Sequence, residues 1–133
     1  MARPDQVFHL QETEKKLGYA RAVRSGDMLF LAGTCSVGLD NEVVAPGDMR
    51  GQIAQIYSLI TVVLEAHEAT FENVVKEMIF VSDIEAFRDA LPVRAGFYEG
   101  AAPPAATWLE VSGFMRPDFL IEIEVTAELP REH

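Results

Sequence analysis

Glu122 and Glu124 are the first residues of this chain whose type and spacing suggest chemistry. They stand two positions apart in the alternating run Phe119-Leu120-Ile121-Glu122-Ile123-Glu124-Val125-Thr126-Ala127. On an extended strand both leave the same face, about 7 Å apart at a rise of about 3.3 Å per residue. Carboxylates that close, once desolvated, hold protons more tightly, which suits a group that must donate and accept them near neutral pH. The plainer reading is a pair of solvated charges on an exposed strand. Cys35 follows Gly33-Thr34 at the end of an apolar run, where a nucleophile can sit. No histidine or basic neighbour in sequence activates it, which favours a buried structural thiol. His67 ends a long amphipathic segment and suits the negative end of a helix better than catalysis. Trp108 reads as core or interface, and Tyr19 and Thr107 are single hydroxyls that matter only if the fold brings them together.

The rest of the inventory excludes more than it offers. No Gly-rich phosphate loop, Gly-x-Ser-x-Gly elbow, Cys-x-x-Cys or His-Glu-x-x-His occurs. One cysteine permits no intrachain disulfide, and His9, His67 and His133 lack zinc-ligand spacing, so neither a metal nor a cofactor is expected. The 133 residues, 49% apolar and 24% charged, suit a single domain over 1–133 with a buried core. A formal charge of −10 disfavours nucleic acid and anionic membrane surfaces as partners. No apolar run approaches the length of a membrane span, and Met1-Ala2-Arg3-Pro4-Asp5-Gln6 has no apolar signal stretch, so a cytoplasmic location is expected.

The elements that must position these residues follow from periodicity. Tyr19–Arg24 and Met28–Gly33 are extended runs joined by Ser25-Gly26-Asp27, the pattern of a hairpin. After a loop rich in Gly, Asn and Pro, apolar residues recur at steps of three and four from Asp48 to Glu68, predicting a helix capped by Asp48 with Gln52, Gln55 and Ser58 off its apolar stripe. Val74–Val81 predicts a buried strand, and Ser82-Asp83-Ile84-Glu85 a capping-box start to a second helix that Pro92 should kink or delay. Strands over Ala106–Ser112 and Phe119–Ala127 complete an order β-β-α-β-α-β-β. That order predicts an α+β layer, one sheet with both helices on a single face. The sheet's second apolar face then predicts self-association.

Several stretches in this order resemble the Rid family (reactive intermediate deaminase, also called YjgF or L-PSP endoribonuclease-like), over about Gly18 to Leu129. Gly18-Tyr19 and Ser25–Thr34 resemble its opening hairpin with Pro-Tyr and Ser-Gly-Gln. Gln52-Ile53-Ala54-Gln55 resembles its Gln-x-x-Gln helix start, Val74–Asp83 its Val-Val-Lys-x-x-x-Phe-(apolar)-x-Asp strand, and Ile121-Glu122-Ile123-Glu124 its closing strand. The resemblance implies a chorismate-mutase-like homotrimer in which three sheets form an inner barrel, with ligand clefts at the subunit interfaces. It also implies hydrolysis of enamines and imines to ketoacids and ammonia, with an arginine of a Pro-Ala-Arg-Ser/Thr motif holding the substrate carboxylate.

Here that motif reads Pro104-Ala105-Ala106-Thr107, and Ala106 cannot supply a bidentate grip. Ser-Gly-Gln reads Ala32-Gly33-Thr34, the usual helix asparagine falls on Leu91, and Trp108 follows the motif. Tyr19, Gly33, Thr107 and Glu122 are retained, and the resemblance gives Glu122 the task of orienting or activating a water. Two function classes follow. One is a hydrolytic deaminase with a small-molecule substrate other than 2-aminoacrylate; the other is a trimer that binds a small molecule without catalysis. A ribonuclease, which the family's older name suggests, is disfavoured by the charge. If a cation replaces the missing arginine, Arg21 is the first candidate, since strand period two turns it to the side of Tyr19. Arg116, in the loop Gly113–Asp118, is the second, and an ordinary solvated arginine is the alternative for both.

Overall fold

The computed structural model describes residues 6–130; the expectations placed on the first five residues and on His133 lie outside them. Strand β1 (Val7–Phe8) and helix α1 (Glu12–Leu17) precede the hairpin of β2 (Ala22–Ser25) and β3 (Met28–Leu31). Helix α2 (Met49–Ala66), strand β4 (Val74–Val81), helix α3 (Ile84–Phe97), strand β5 (Ala105–Glu110) and strand β6 (Ile121–Glu128) follow. The strands form one six-stranded sheet in the order β1-β2-β3-β6-β4-β5, antiparallel except for the parallel pair β4 and β5.

The chain is thus α+β, as expected, but the architecture corrects the chorismate-mutase-like expectation in two ways. The order β-β-α-β-α-β-β gains a leading strand and helix, making three α-helices instead of two. The sheet is open and not closed into a barrel, because β1 and β5 end it on opposite sides and pair with one neighbour each. Neither addition has a periodic signature: β1 is two residues long, and α1 reads Glu-Thr-Glu-Lys-Lys-Leu, with no apolar stripe.

The long elements follow their patterns. Asp48 caps α2 by accepting from the Gly51 amide, and Ile53, Ile56, Tyr57, Ile60, Val63 and Leu64 are buried. Gln52 departs from its expected polar placement. It is fully buried, and its amide is satisfied by the carbonyls of Ala45 and Asp118 and by the Leu120 amide. At α3 the cap is Asp83 rather than Ser82, accepting from the Glu85 and Ala86 amides, and the helix runs through Pro92 to Phe97 without a late start. In β6, Ile121, Ile123, Val125 and Ala127 are buried against the helices, and Glu122, Glu124 and Thr126 take the other face.

Glu77 of β4 shares the core side with Ile79 and Val81 and has no solvent exposure. It accepts from the hydroxyls of Tyr57 (2.6 Å) and Tyr98 (2.7 Å), from Arg94 Nε (2.7 Å) and, more distantly, from Trp108 Nε1 (3.4 Å). These donors tie α2, α3 and the edge strand β5 to β4. Arg94 also lies over the rings of Tyr98 and Trp108, at 4.6 and 5.0 Å. Among the described residues, no helix is long and apolar enough to cross a membrane. Glu77→Ala should leave Arg94 without its counter-charge and cost about 3–5 kcal/mol, read as a lower urea midpoint.

Candidate functional site

A cavity of about 540 Å³ opens where β3 ends and β6 begins, and its lining includes Tyr19, Arg21, Gly33, Cys35, Arg116 and Glu122. Helix α1 contributes Glu14 and Leu17 to the lining, Leu10 lies just before it, and Met115 and Phe119 come from the loop that leads into β6. The two glutamines that open α2 set this loop geometry. Gln52 holds Asp118 and Leu120, whereas Gln55 donates to the Val37 carbonyl at 2.7 Å. Gly18 ends α1 at φ 87°, a conformation open to glycine, and so turns Tyr19 toward the cavity.

Glu122 projects from the face of β6 opposite the core, and the bridge between Thr34 and Ile123 carries Gly33 and Cys35 alongside it. The thiol of Cys35 donates to Glu122 Oε1 at 3.3 Å. The other oxygen, Oε2, lies 2.5 Å from where a β-carbon on residue 33 would stand, so only glycine lets the carboxylate take this place unshifted. Burial, and then the charge and hydrogen bond of Glu122, push the Cys35 thiol far above its ordinary range. It stays protonated at neutral pH, and its role here is that of a donor to a carboxylate rather than a nucleophile.

Arg21 is the most constrained group in the cavity. Nε donates to Glu14 Oε2 (3.2 Å), one terminal nitrogen to the Gly33 carbonyl (3.0 Å) and Thr34 Oγ1 (2.9 Å), and the other to the Tyr19 hydroxyl (3.0 Å). Four of its five N–H groups are thereby occupied. Because the Tyr19 oxygen accepts from Arg21, its own hydrogen is directed elsewhere and can serve a ligand. Glu14 is almost fully buried; Oε1 also accepts the Leu10 amide at 3.0 Å and lies 3.2 Å from His9 Nδ1. Arg116 is held differently, by a hydrogen bond to the Asn41 carbonyl and by stacking on Phe119 at 4.9 Å. Arg116 lines the cavity, and none of the salt bridges among the described residues engages it.

The structure therefore brings together Tyr19, Arg21, Gly33, Arg116 and Glu122, with Cys35. It does not bring Ala106 and Thr107 to them. Both lie on β5, separated from β3 by β6 and β4, and Thr107 Oγ1 instead receives a 3.4 Å contact from Lys76 Nζ. Glu124 lies beyond the cavity lining, and His67 is the C-cap of α2, its Nδ1 2.7 Å from the Val63 carbonyl. Glu14 is the residue that sequence reasoning missed, for within Glu12-Thr13-Glu14-Lys15-Lys16 it reads as one more solvated charge. Among the described residues no cluster of three or more His, Cys, Asp or Glu is arranged to hold a metal ion.

Comparison with known proteins agrees with this geometry. The family model described as Endoribonuclease L-PSP matches residues 11–129. The chain belongs to this family, also known as RutC, YjgF or Rid. A RutC family protein of Pyrococcus horikoshii is 30% identical over 123 residues, which cover 92% of this chain and 96% of that one. The RutC family protein YjgH of Escherichia coli is 30% identical over 115 residues, 86% and 85% of the two chains. Among solved structures, a YjgF/YER057c/UK114 family member from Mycobacterium tuberculosis superposes with a TM-score of 0.79 at 31% identity, covering 93% of this chain and 98% of its own.

The contact between Cys35 and Glu122 makes a prediction about this Rid-family cavity. Glu122→Gln removes the charge that helps hold the thiol protonated, so the Cys35 pKa should fall toward its ordinary range while burial keeps it above that range. Iodoacetamide should then alkylate Cys35 several-fold faster at pH 9 than in the unchanged protein, as read by intact mass. Equal rates would show that the carboxylate does not act on the thiol.

Proposed function

We propose that this cavity hydrolyses the imine, or the tautomeric enamine, of a small metabolite bearing an anionic group, and that 2-aminoacrylate is not the preferred substrate. The observation that carries the reading is the Glu122 carboxylate, seated between Cys35 and the bare Cα of Gly33 and within the same cavity as a hydroxyl donor on Tyr19. Glu122 takes a proton from water as its oxygen attacks the imine carbon, and the nitrogen is protonated to give a carbinolamine. That intermediate collapses to a carbonyl compound and ammonia, so the balance is imine plus water to carbonyl plus ammonia. An enamine is first protonated on carbon. Tyr19, whose oxygen is already engaged by Arg21, donates its hydrogen to the substrate.

Arg116 takes the anionic group in this reading, and Arg21 positions Tyr19. The absence of an arginine at Ala106, and of any salt bridge to Arg116 among the described residues, supports that division. Thr107, remote from the cavity of its own protomer, contributes only if a neighbouring copy presents β5 to the cavity, which is the ground for proposing that the chain works as a homotrimer. The charge of −10 argues against an RNA substrate despite the family's name of endoribonuclease. Ala106 also favours a second reading, a binding protein that kept the cavity and lost the reaction, because the resemblance places the substrate-holding cation there.

The test measures ammonia release from a panel of imino acids generated in situ by an amino-acid oxidase, beside a dehydratase that releases 2-aminoacrylate. Turnover is expected for part of the panel and little acceleration for 2-aminoacrylate. Glu122→Gln should lower kcat by about 10²–10⁴-fold. Arg116→Ala should cost about 1.5–3 kcal/mol in kcat/KM, at least tenfold. Rapid turnover of 2-aminoacrylate overturns the substrate assignment. Ligand binding without hydrolysis of any imine leaves the binding protein as the function. Light scattering at micromolar concentration should give three times the chain mass, and a monomer refutes the trimer.

A further inference from the structure

We propose that Glu14 is a specificity-determining residue: an internal carboxylate that occupies Arg21 and leaves the cavity open to a ligand with one anionic group but not two. The inference rests on the reading that Arg116 holds that one group. Its ground is the donor count at Arg21. Nε is taken by Glu14, both hydrogens of one terminal nitrogen by Gly33 and Thr34, and one hydrogen of the other by Tyr19. A bidentate fork to an incoming carboxylate needs two parallel N–H groups, and Arg21 has one hydrogen left. Its charge is spent as well. The side chain of Glu14 is 2% exposed and that of Arg21 10%, so the pair attracts at short range with little solvent between.

Glu14 is held so that it cannot easily leave. Its second oxygen accepts the Leu10 amide and sits beside His9, and α1 is anchored further by Gln11 Nε2 donating to the Gly38 carbonyl at 2.7 Å. Glu14 and Arg21 nevertheless both line the cavity, so a ligand carboxylate reaching this end would meet a carboxylate already in place. Without Glu14 the same cavity would present two cations, Arg21 and Arg116, and would suit a dicarboxylate. With it, the charge-bearing lining sums to two cations against Glu14 and Glu122, and only Arg116 among the cations is uncompensated by direct contact.

Chemical rescue tests this directly. Glu14→Ala removes the internal carboxylate and leaves room for an external one. Thermal melts would be run against increasing acetate and malonate, with chloride holding ionic strength constant. The Tm of Glu14→Ala should climb with the logarithm of either anion, and more steeply than that of the unchanged protein or of Glu14→Ala/Arg21→Met, in which only the Arg116 site is open to an anion. Malonate should also bind Glu14→Ala at least tenfold more tightly than the unchanged protein by calorimetry. Should Glu14→Ala fail to fold in chloride alone, the same anions should restore its far-ultraviolet circular dichroism, and failure to do so counts against the inference. A Tm indifferent to both anions, or a rise as steep in the unchanged protein, overturns it. Arg116→Ala is carried in parallel: acetate binding by the unchanged protein depends on Arg116, whereas the added rescue of Glu14→Ala depends on Arg21, so the two readings fail separately.

Discussion

Ile121, Ile123, Val125 and Ala127 are shut away from solvent on one face of β6, and this burial ties the position of Glu122 to the stability of the whole domain. A slip of one residue against β3 and β4 would place four acidic and polar side chains in the core and four apolar ones outside it, so the register is strongly specified. The same register sets Thr34 opposite Ile123, and from that bridge Gly33 and Cys35 acquire their places beside the Glu122 carboxylate. The cavity is thus a consequence of how the central strand is buried. The Glu122 carboxylate sits on a rigid strand, and the cavity's walls come from loops and a short helix.

Two buried carboxylates support this frame by different means. Glu77 gathers a tyrosine hydroxyl from α2, and a second tyrosine hydroxyl and a guanidinium from α3 and its C-cap, onto the core side of β4. Glu14 does comparable work at the other end of the sheet, locking Arg21 and, through it, the orientation of Tyr19. Each is a charge removed from water whose cost is offset only because several donors converge on it. Neither is a solvated acid, yet both contribute to the same count of 21 acidic residues that makes the chain look uniformly anionic.

What the amino-acid sequence reveals divides along physical lines. Long periodic segments are legible: α2 from its apolar steps, β4 from its β-branched run, β6 from strict alternation. Glu77 carried a readable signal, since it shares parity with Ile79 and Val81 and so had to face the core. Gln52 did too, falling one turn from both Met49 and Ile56 on the apolar stripe of α2. Glu14 had none, because its burial depends on Arg21, seven residues on, folding back across the turn at Gly18. Periodicity describes single elements, and α1 and β1 are too short to show any. Tyr19 and Arg21 do meet, but not by the expected strand spacing, since β2 begins only at Ala22 and both residues lie in the turn before it; the occupation of Arg21 by a neighbouring acid was likewise a tertiary fact. The open sheet likewise follows from which strands end it, and strand order is not written in any one segment.

The net charge and the cavity act on an anionic ligand at different ranges. A surface field of sign −10 slows the approach of any anion, and a dianion more than a monoanion. At physiological ionic strength that field fades over about 8 Å, so it bears on encounter and not on the bound state. Inside the cavity the deciding forces are contacts of a few ångströms, where Arg116 makes one hydrogen bond and no salt bridge and Arg21 has a single N–H left. Salt should therefore speed association while loosening the final grip only slightly, the reverse of what a basic, anion-steering cleft would show. Long-range repulsion and the occupied Arg21 both press against multiply charged ligands, one through the rate of arrival and the other through the number of cations that await.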